Sequence, residues 1–233
     1  MKIFLLLIAH CIGDFSLQPM ALAVKKKESF KYQLLHSLIY TICLSLVFLL
    51  YTGILKFIVL FVLTFFIHLL IDYLRIIISK NKNATFQLIA FFGDQLLHII
   101  MLIINSKVLI DLNQIGVRLY HLHKYVKIIL GFALVLAPAS VTVKHILFAV
   151  DQNTSSDICV DNDRVGSLIG KLERVIIVIL GMMNLYTSIA LVFTAKSLAR
   201  FKQLEDKSFA ERYLVGTFLS LLFGLIAIII IKS

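Results

Sequence analysis

Three pairs of histidine and aspartate, each four residues apart, stand inside otherwise apolar runs of this sequence: His10 and Asp14, His68 and Asp72, Asp94 and His98. Four residues make about one helical turn, so the members of each pair share a face. Imidazole and carboxylate are ligands for zinc, manganese and iron. A helix with such a pair can offer two ligands to one ion, and three such helices can build a mononuclear or dinuclear site. His36 joins the set, although its place beside basic residues gives an interfacial histidine as the simpler account. The expected ligands are therefore His10, Asp14, His36, His68, Asp72, Asp94 and His98, around a divalent ion, zinc first and manganese or iron as alternatives.

A metal with open positions lowers the pKa of its water toward ~7 and supplies hydroxide for hydrolysis. Asp72, where it is not consumed as a ligand, can act as general base. Gln95, next to Asp94, can orient a ligand or bind substrate, and Gln18 continues the His10–Asp14 stripe. One His–Asp pair on a helix is more often a hydrogen-bonded packing pair than a metal site. Three pairs in apolar segments are harder to dismiss, because an ionisable group in mid-membrane costs roughly 2.5–3.5 kcal/mol on insertion scales. The competing accounts are a proton or ion pathway and a structural polar network.

Composition sets the frame for these residues. The chain has 233 residues, 60% of them hydrophobic and 15% charged, with a mean hydropathy of +0.97. So small a soluble protein could not cover that much apolar surface, so the expected class is integral to a membrane. The formal charge of +10 suits basic loops facing anionic head groups. No aromatic-interleaved basic module is visible, so no nucleic acid partner is expected. Cys11, Cys43 and Cys159 are odd in number and form no C-x-x-C, which points to neither a disulfide framework nor a thiolate metal site. The N-terminal run resembles a signal peptide, but His10, Asp14 and Gln18 interrupt its apolar core, and a retained helix with a polar stripe is the expectation.

Hydrophobic segments are expected at Ile3–Val24, Tyr32–Tyr51, Lys56–Ser79, Phe86–Ile104, Val126–Val150, Leu172–Thr194 and Tyr213–Ile231, with a kink at Pro138. Residues 105–124 are mixed and suit an interfacial connector. The resulting expectation is an all-α, polytopic transmembrane bundle of about six to seven hydrophobic helices, one of them re-entrant. Its modules are residues 1–104, which carry the His/Asp constellation, the connector 105–125, and residues 126–233. The basic loops Lys25–Lys31, Ser79–Lys82 and Lys196–Arg212 belong on the cytoplasmic side, and the acidic loop Asp151–Arg164 belongs outside. That orientation makes the fourth segment, with Asp94 and His98, dip in and return or pair with the helix after it.

The run Ala9-His10-Cys11-Ile12-Gly13-Asp14-Phe15-Ser16-Leu17-Gln18 resembles the opening of a bacterial membrane family known as domain of unknown function 3307. The H-x-x-x-D of His68 and Asp72 and the Asp94-Gln95-x-x-His98 run match the same family. So do Gly166–Arg174, Ala195–Phe201, Ala210-Glu211 and Gly216–Ser220 in the second half. The resemblance implies a multi-pass protein of the bacterial cytoplasmic membrane and brings no activity with it. The N-terminal pattern is in turn similar to the membrane-bound metal-dependent hydrolases in ligand type and spacing. Helical alkaline ceramidases share the chemistry by analogy alone.

In the last third, Glu173, Arg174, Lys196, Arg200 and Glu211 have a simple account, in which the cations mark the cytoplasmic side and bind lipid head groups. A sharper account pairs Glu173 or Glu211 with a cation across helices and makes this module a lid or a docking unit for a protein partner at Lys196–Arg212. Gly166-x-x-x-Gly170 allows close helix packing.

The expected function is a metal-dependent intramembrane hydrolase acting on a lipid or lipid-linked ester, phosphoester or amide that arrives from the bilayer. The alternatives are an ion or proton transporter or channel using the same His and Asp residues, and a non-catalytic membrane scaffold or regulator. No inverted repeat, which many transporters show, is visible, and no G-x-S-x-G elbow points to a serine nucleophile.

Overall fold

Apolar runs broken by proline, glycine and lysine become helices throughout a computed structural model that describes residues 1–79, 83–109, 121–150 and 164–233. No strand occurs among the described residues. Lys80, Lys82, Cys159 and the aspartates of the acidic loop lie outside them, as does most of the connector 105–125. The chain divides into two compact units, Met1–Lys127 and Ile128–Ser233.

The first unit opens with α1 (Lys2–His10), which runs directly into a π-helical turn at Cys11–Ser16. Pro19 then stands before α2 (Met20–Glu28). Proline has no N–H to give the preceding turn and keeps its predecessor out of helical geometry, and the chain bends by 77° between Lys2–Ser16 and Met20–Glu28. The first hydrophobic segment is thus a broken pair, not the straight helix expected over Ile3–Val24. Gly13 lets the π turn lie close on its neighbour: a Cβ there would meet Tyr40 Cα at 3.2 Å and Cys43 Cβ at 3.3 Å.

Three long helices follow: α3 (Phe30–Tyr51), α4 (Ile54–Ile78) and α5 (Ala84–Val108). Asn83 caps α5, its side chain accepting from the backbone N–H groups of Thr85 and Phe86. α5 is continuous over 25 residues and long and apolar enough to cross a membrane. The fourth segment is therefore not the one that turns back; the bent element is the first. The helix pairs α1–α3, α3–α4, α4–α5 and α5–α1 all touch, which closes a ring.

Each ring helix has an inner stripe in which polar side chains stand among apolar ones, and apolar side chains outside. On α4 the stripe is Leu60, Thr64, His68 and Asp72, all buried, while Ile58, Val62, Phe66 and Leu70 are exposed. This inverts the pattern of a soluble amphipathic helix and suits a hydrocarbon surrounding. Leu6, Leu44, Phe48 and Leu102 form the apolar core on which the polar residues sit.

The second unit holds the rest of α6 (His123–Leu136), then α7 (Pro138–Val150), α8 (Arg164–Met182), α9 (Tyr186–Ala199), a 3-10 turn at Phe201–Glu205 and α10 (Lys207–Lys232). Pro138 interrupts the fifth segment as expected. The sixth segment is two helices, with Asn184 at φ 62° between them, where one helix over Leu172–Thr194 was expected. Among the described residues five stretches are long and apolar enough to cross a membrane, or six with the bent pair counted as one.

Candidate metal centre

The ring of α1, α3, α4 and α5 encloses every His and Asp of the expected ligand set. His36, His68 and His98 have no exposed surface, and His10, Asp14, Asp72 and Asp94 are buried as well. The interfacial account of His36 therefore does not describe the folded protein. On α3 the buried face presents His36, Ser37 and Tyr40, on α4 His68 and Asp72, and on α5 Asp94 and His98. The π turn contributes Asp14. A wide turn of this kind keeps residues four apart on one side, and π turns recur at functional sites.

Two sets of ligand atoms converge. One atom each from Asp14, His36, His68 and Asp72 lie within 4.8 Å of one another, and so do one each from Asp72, Asp94 and His98. Asp72 belongs to both. His36 Nε2 is 3.2 Å from Asp14 Oδ1 and 3.5 Å from Asp72 Oδ2. The His68 ring stacks on Tyr40 with centroids 3.8 Å apart.

His10 stands outside both sets, because both its nitrogens are used. Its Nδ1 lies 3.2 Å from the Tyr40 hydroxyl and its Nε2 lies 3.3 Å from Gln95 Oε1. An amide oxygen only accepts, so Nε2 carries the proton and Nδ1 accepts from Tyr40. Gln95 spends its amide on two carboxylates, donating to Asp14 Oδ2 at 3.2 Å and Asp94 Oδ2 at 3.1 Å. It thus spans Asp14 and Asp94 and fixes their angle, a role suited to orienting ligands.

His98 has its tautomer set by the backbone. Its Nδ1 donates to the carbonyl oxygen of Asp94 at 2.8 Å, which leaves Nε2 as a bare acceptor. That nitrogen is buried without a hydrogen-bond partner, and so are Asp72 Oδ1 and Asp94 Oδ1. His68 Nδ1 lies 3.2 Å from Ser37 Oγ, and its Nε2 likewise has no hydrogen-bond partner. Asp72 Oδ1 and His98 Nε2 thus each hold a buried lone pair with no hydrogen-bond donor, while Asp94 Oδ1 has the His98 Nδ1–H 3.5 Å away. Such atoms are costly to bury, and a cation is what their chemistry fits. The donor set of imidazole and carboxylate suits zinc, manganese or iron.

Two cations enter the same chamber. Lys26, from α2, donates to Asp72 Oδ2 at 3.0 Å and is itself 6% exposed. It also donates to Gln18 Oε1 at 3.3 Å. With its amide turned over, Gln18 keeps Lys26 and also donates to the Asp14 carbonyl at 3.0 Å. Arg75 donates to Asp94 Oδ2 at 3.1 Å. The sequence places Lys26 in the basic loop Lys25–Lys31 and gives Arg75 no part in the site. The only signal for Lys26 was its lysine triplet eight residues past Gln18, and the bend that folds α2 back is what aims it inward. Tyr40 and Ser37 were also missed; the signal available was their spacing from His36 on a helix face.

In the second unit Glu173 pairs with Lys196 across α8 and α9 at 2.7 Å, while Glu211 reaches only Lys207 on its own helix at 4.0 Å. No curated protein and no solved structure matches the chain. A family profile described as "Protein of unknown function (DUF3307)" matches residues 3–126, the stretch that carries every residue of the chamber; the motifs at Gly166–Ser220 lie beyond that match. By this match across more than half of its length, the chain belongs to the DUF3307 family.

Proposed function

We propose that the chain is a metal-dependent hydrolase that works within a bacterial cytoplasmic membrane on a lipid or lipid-linked ester, phosphoester or amide. The observation that carries this reading is the convergence of Asp72, Asp94 and His98, with buried acceptors at Asp72 Oδ1 and His98 Nε2 that have no hydrogen-bond partner. Asp72, Asp94 and His98 would hold the ion, and Asp14, His36 and His68 form the second convergent set, joined to the first through Asp72. A bound divalent ion would supply Lewis acidity and hydroxide at neutral pH.

The chain's own groups have separable duties. Gln95 holds the Asp14 and Asp94 carboxylates in place. Tyr40 holds His10 in the tautomer that Gln95 requires. Asp72, released from Lys26, is placed to take a proton from a reacting water. The apolar outer faces of α3, α4 and α5 favour substrates that reach the chamber from the hydrocarbon.

The Lys26–Asp72 and Arg75–Asp94 pairs favour one competing reading, a proton or ion pathway in which fixed cations balance the carboxylates. Elemental analysis of the detergent-purified chain separates the two. Zinc, manganese or iron at about one or two equivalents, lost in His68→Ala and Asp14→Ala while both stay monodisperse, supports the hydrolase. Protein that carries no metal and takes up none from added salts sinks it, and ion flux in liposomes becomes the assay.

A further inference from the structure

The second unit contains a cleft of about 220 Å³ that the His/Asp chamber does not explain. Five cations line it, Lys144, Arg174, Lys196, Arg200 and Arg212, and among the described residues no carboxylate does. Arg174 is 2% exposed. Its guanidinium donates to the Val135 carbonyl at 2.6 Å, to Ser220 Oγ at 3.2 Å and to Ser140 Oγ at 2.5 Å. All three acceptors are neutral, and a guanidinium has five N–H groups, so two remain for an anion. Lys196 is bonded to Glu173 at 2.7 Å and to Thr217 Oγ1 at 3.2 Å, so it is held at the cleft and not left to sweep solvent.

We propose that this cleft is a specific site for the phosphate group of an anionic membrane lipid. A phosphate offers oxygens in several directions, which suits an Arg fork, ammonium groups and hydroxyls converging from different helices. Val143, Leu147 and Ile169 line the same cleft, so the ligand it fits carries an apolar portion beside its anion. Membrane lipid joins the two, and the helices α7 and α10 that wall the cleft belong to stretches long enough to cross a bilayer. The site differs from diffuse attraction of basic loops to head groups, because Lys202 and Lys207, equally charged and exposed, are not among its lining residues. It stands independently of the metal reading.

The test is lipid retention by the full-length chain, measured by native mass spectrometry from detergent titrated with phosphatidylglycerol, phosphatidylcholine or inorganic phosphate. Phosphatidylglycerol should be retained at least about tenfold better than phosphatidylcholine, and inorganic phosphate should not displace it at equal concentration. Lys144→Gln and Arg200→Gln, both at the cleft rim, should each weaken retention about fivefold, while Lys202→Gln and Lys207→Gln leave it unchanged. Equal losses in all four variants would show diffuse attraction and overturn the proposal. So would equal retention of the two lipids, or displacement by inorganic phosphate, which would identify a free-anion site.

Discussion

Replacing Lys26 with methionine asks directly what the chamber is for. Lys26 Nζ and Asp72 Oδ2 are 3.0 Å apart with both side chains buried. At an effective dielectric of about 20, unit charges at that distance attract by roughly 5–6 kcal/mol before desolvation, and breaking such a pair by removing one partner costs about 3–5 kcal/mol. A loss of about 3 kcal/mol is therefore expected for the metal-free variant. Methionine keeps most of the stem's packing, so the change reports charge. If Asp72 is a ligand, an incoming ion no longer competes with Lys26, and the same 3 kcal/mol returns as affinity, on the order of a hundredfold. The chain contains no tryptophan, so far-ultraviolet circular dichroism is the better melting probe, run with chelator and with added zinc, beside affinity from competition with a chelating dye. A lower melting temperature in chelator, restored by zinc that binds far more tightly than to the parent chain, is the expected outcome. Lost stability with zinc affinity unchanged within about threefold would refute the reasoning, because Lys26 and Asp72 would then be a structural pair and nothing more.

Two further outcomes concern the second unit. Gly224→Ala would place a Cβ 2.6 Å from Ile177 Cγ2 and 3.3 Å from Ile177 Cβ, so α8 and α10 should separate at a cost of about 1–3 kcal/mol in thermal melts, partly recovered when Ile177→Ala is added. Asp206 caps α10, and the backbone N–H of Phe209 and then the Ser208 hydroxyl hold its carboxyl below the usual carboxylate range. A depressed pKa stabilises above the unfolded value, near ~4, and is lost as pH falls through the folded one; Asp206→Ala should therefore speed hydrogen exchange in the first turn of α10 at neutral pH and change little in strong acid.

How much of this was readable beforehand divides along physical lines. The long helices were legible because a 20-residue apolar run has one stable form in hydrocarbon. The His and Asp at i and i+4 were legible because helical spacing alone puts them on one face, and all six of these residues are buried around one chamber together with His36. The break of the first segment was not. Pro19 announces an interruption, but the 77° bend depends on where α2 finds a surface, and α2 packs on α3 through contacts no local pattern encodes. The break at Asn184 was hidden for a related reason, since its local marks, Gly181 and the asparagine itself, also occur inside continuous helices. His10 shows the same limit within the site: its spacing to Asp14 predicts a ligand, yet Tyr40 and Gln95, distant in sequence, occupy both nitrogens.

Charge balance narrows what the chamber can hold. Asp14, Asp72 and Asp94 bring three negative charges, and Lys26 and Arg75 return two positive ones. With neutral imidazoles the cluster carries one net negative charge, in surroundings where an uncompensated charge is costly. One divalent ion turns that to one net positive, which a single anion, such as hydroxide or an ionised substrate group, would neutralise. Two divalent ions would leave three positive charges unless both Lys26 and Arg75 withdrew. Arg75 is 23% exposed at its side chain and has somewhere to go, whereas Lys26 is 5% exposed and held by Asp72 and Gln18. A single ion shared through Asp72, paired with one anion, is the occupancy these charges favour. It also explains why the chamber is built with a lysine at all: in the absence of an ion, Lys26 supplies the positive charge that the buried Asp72 carboxylate needs.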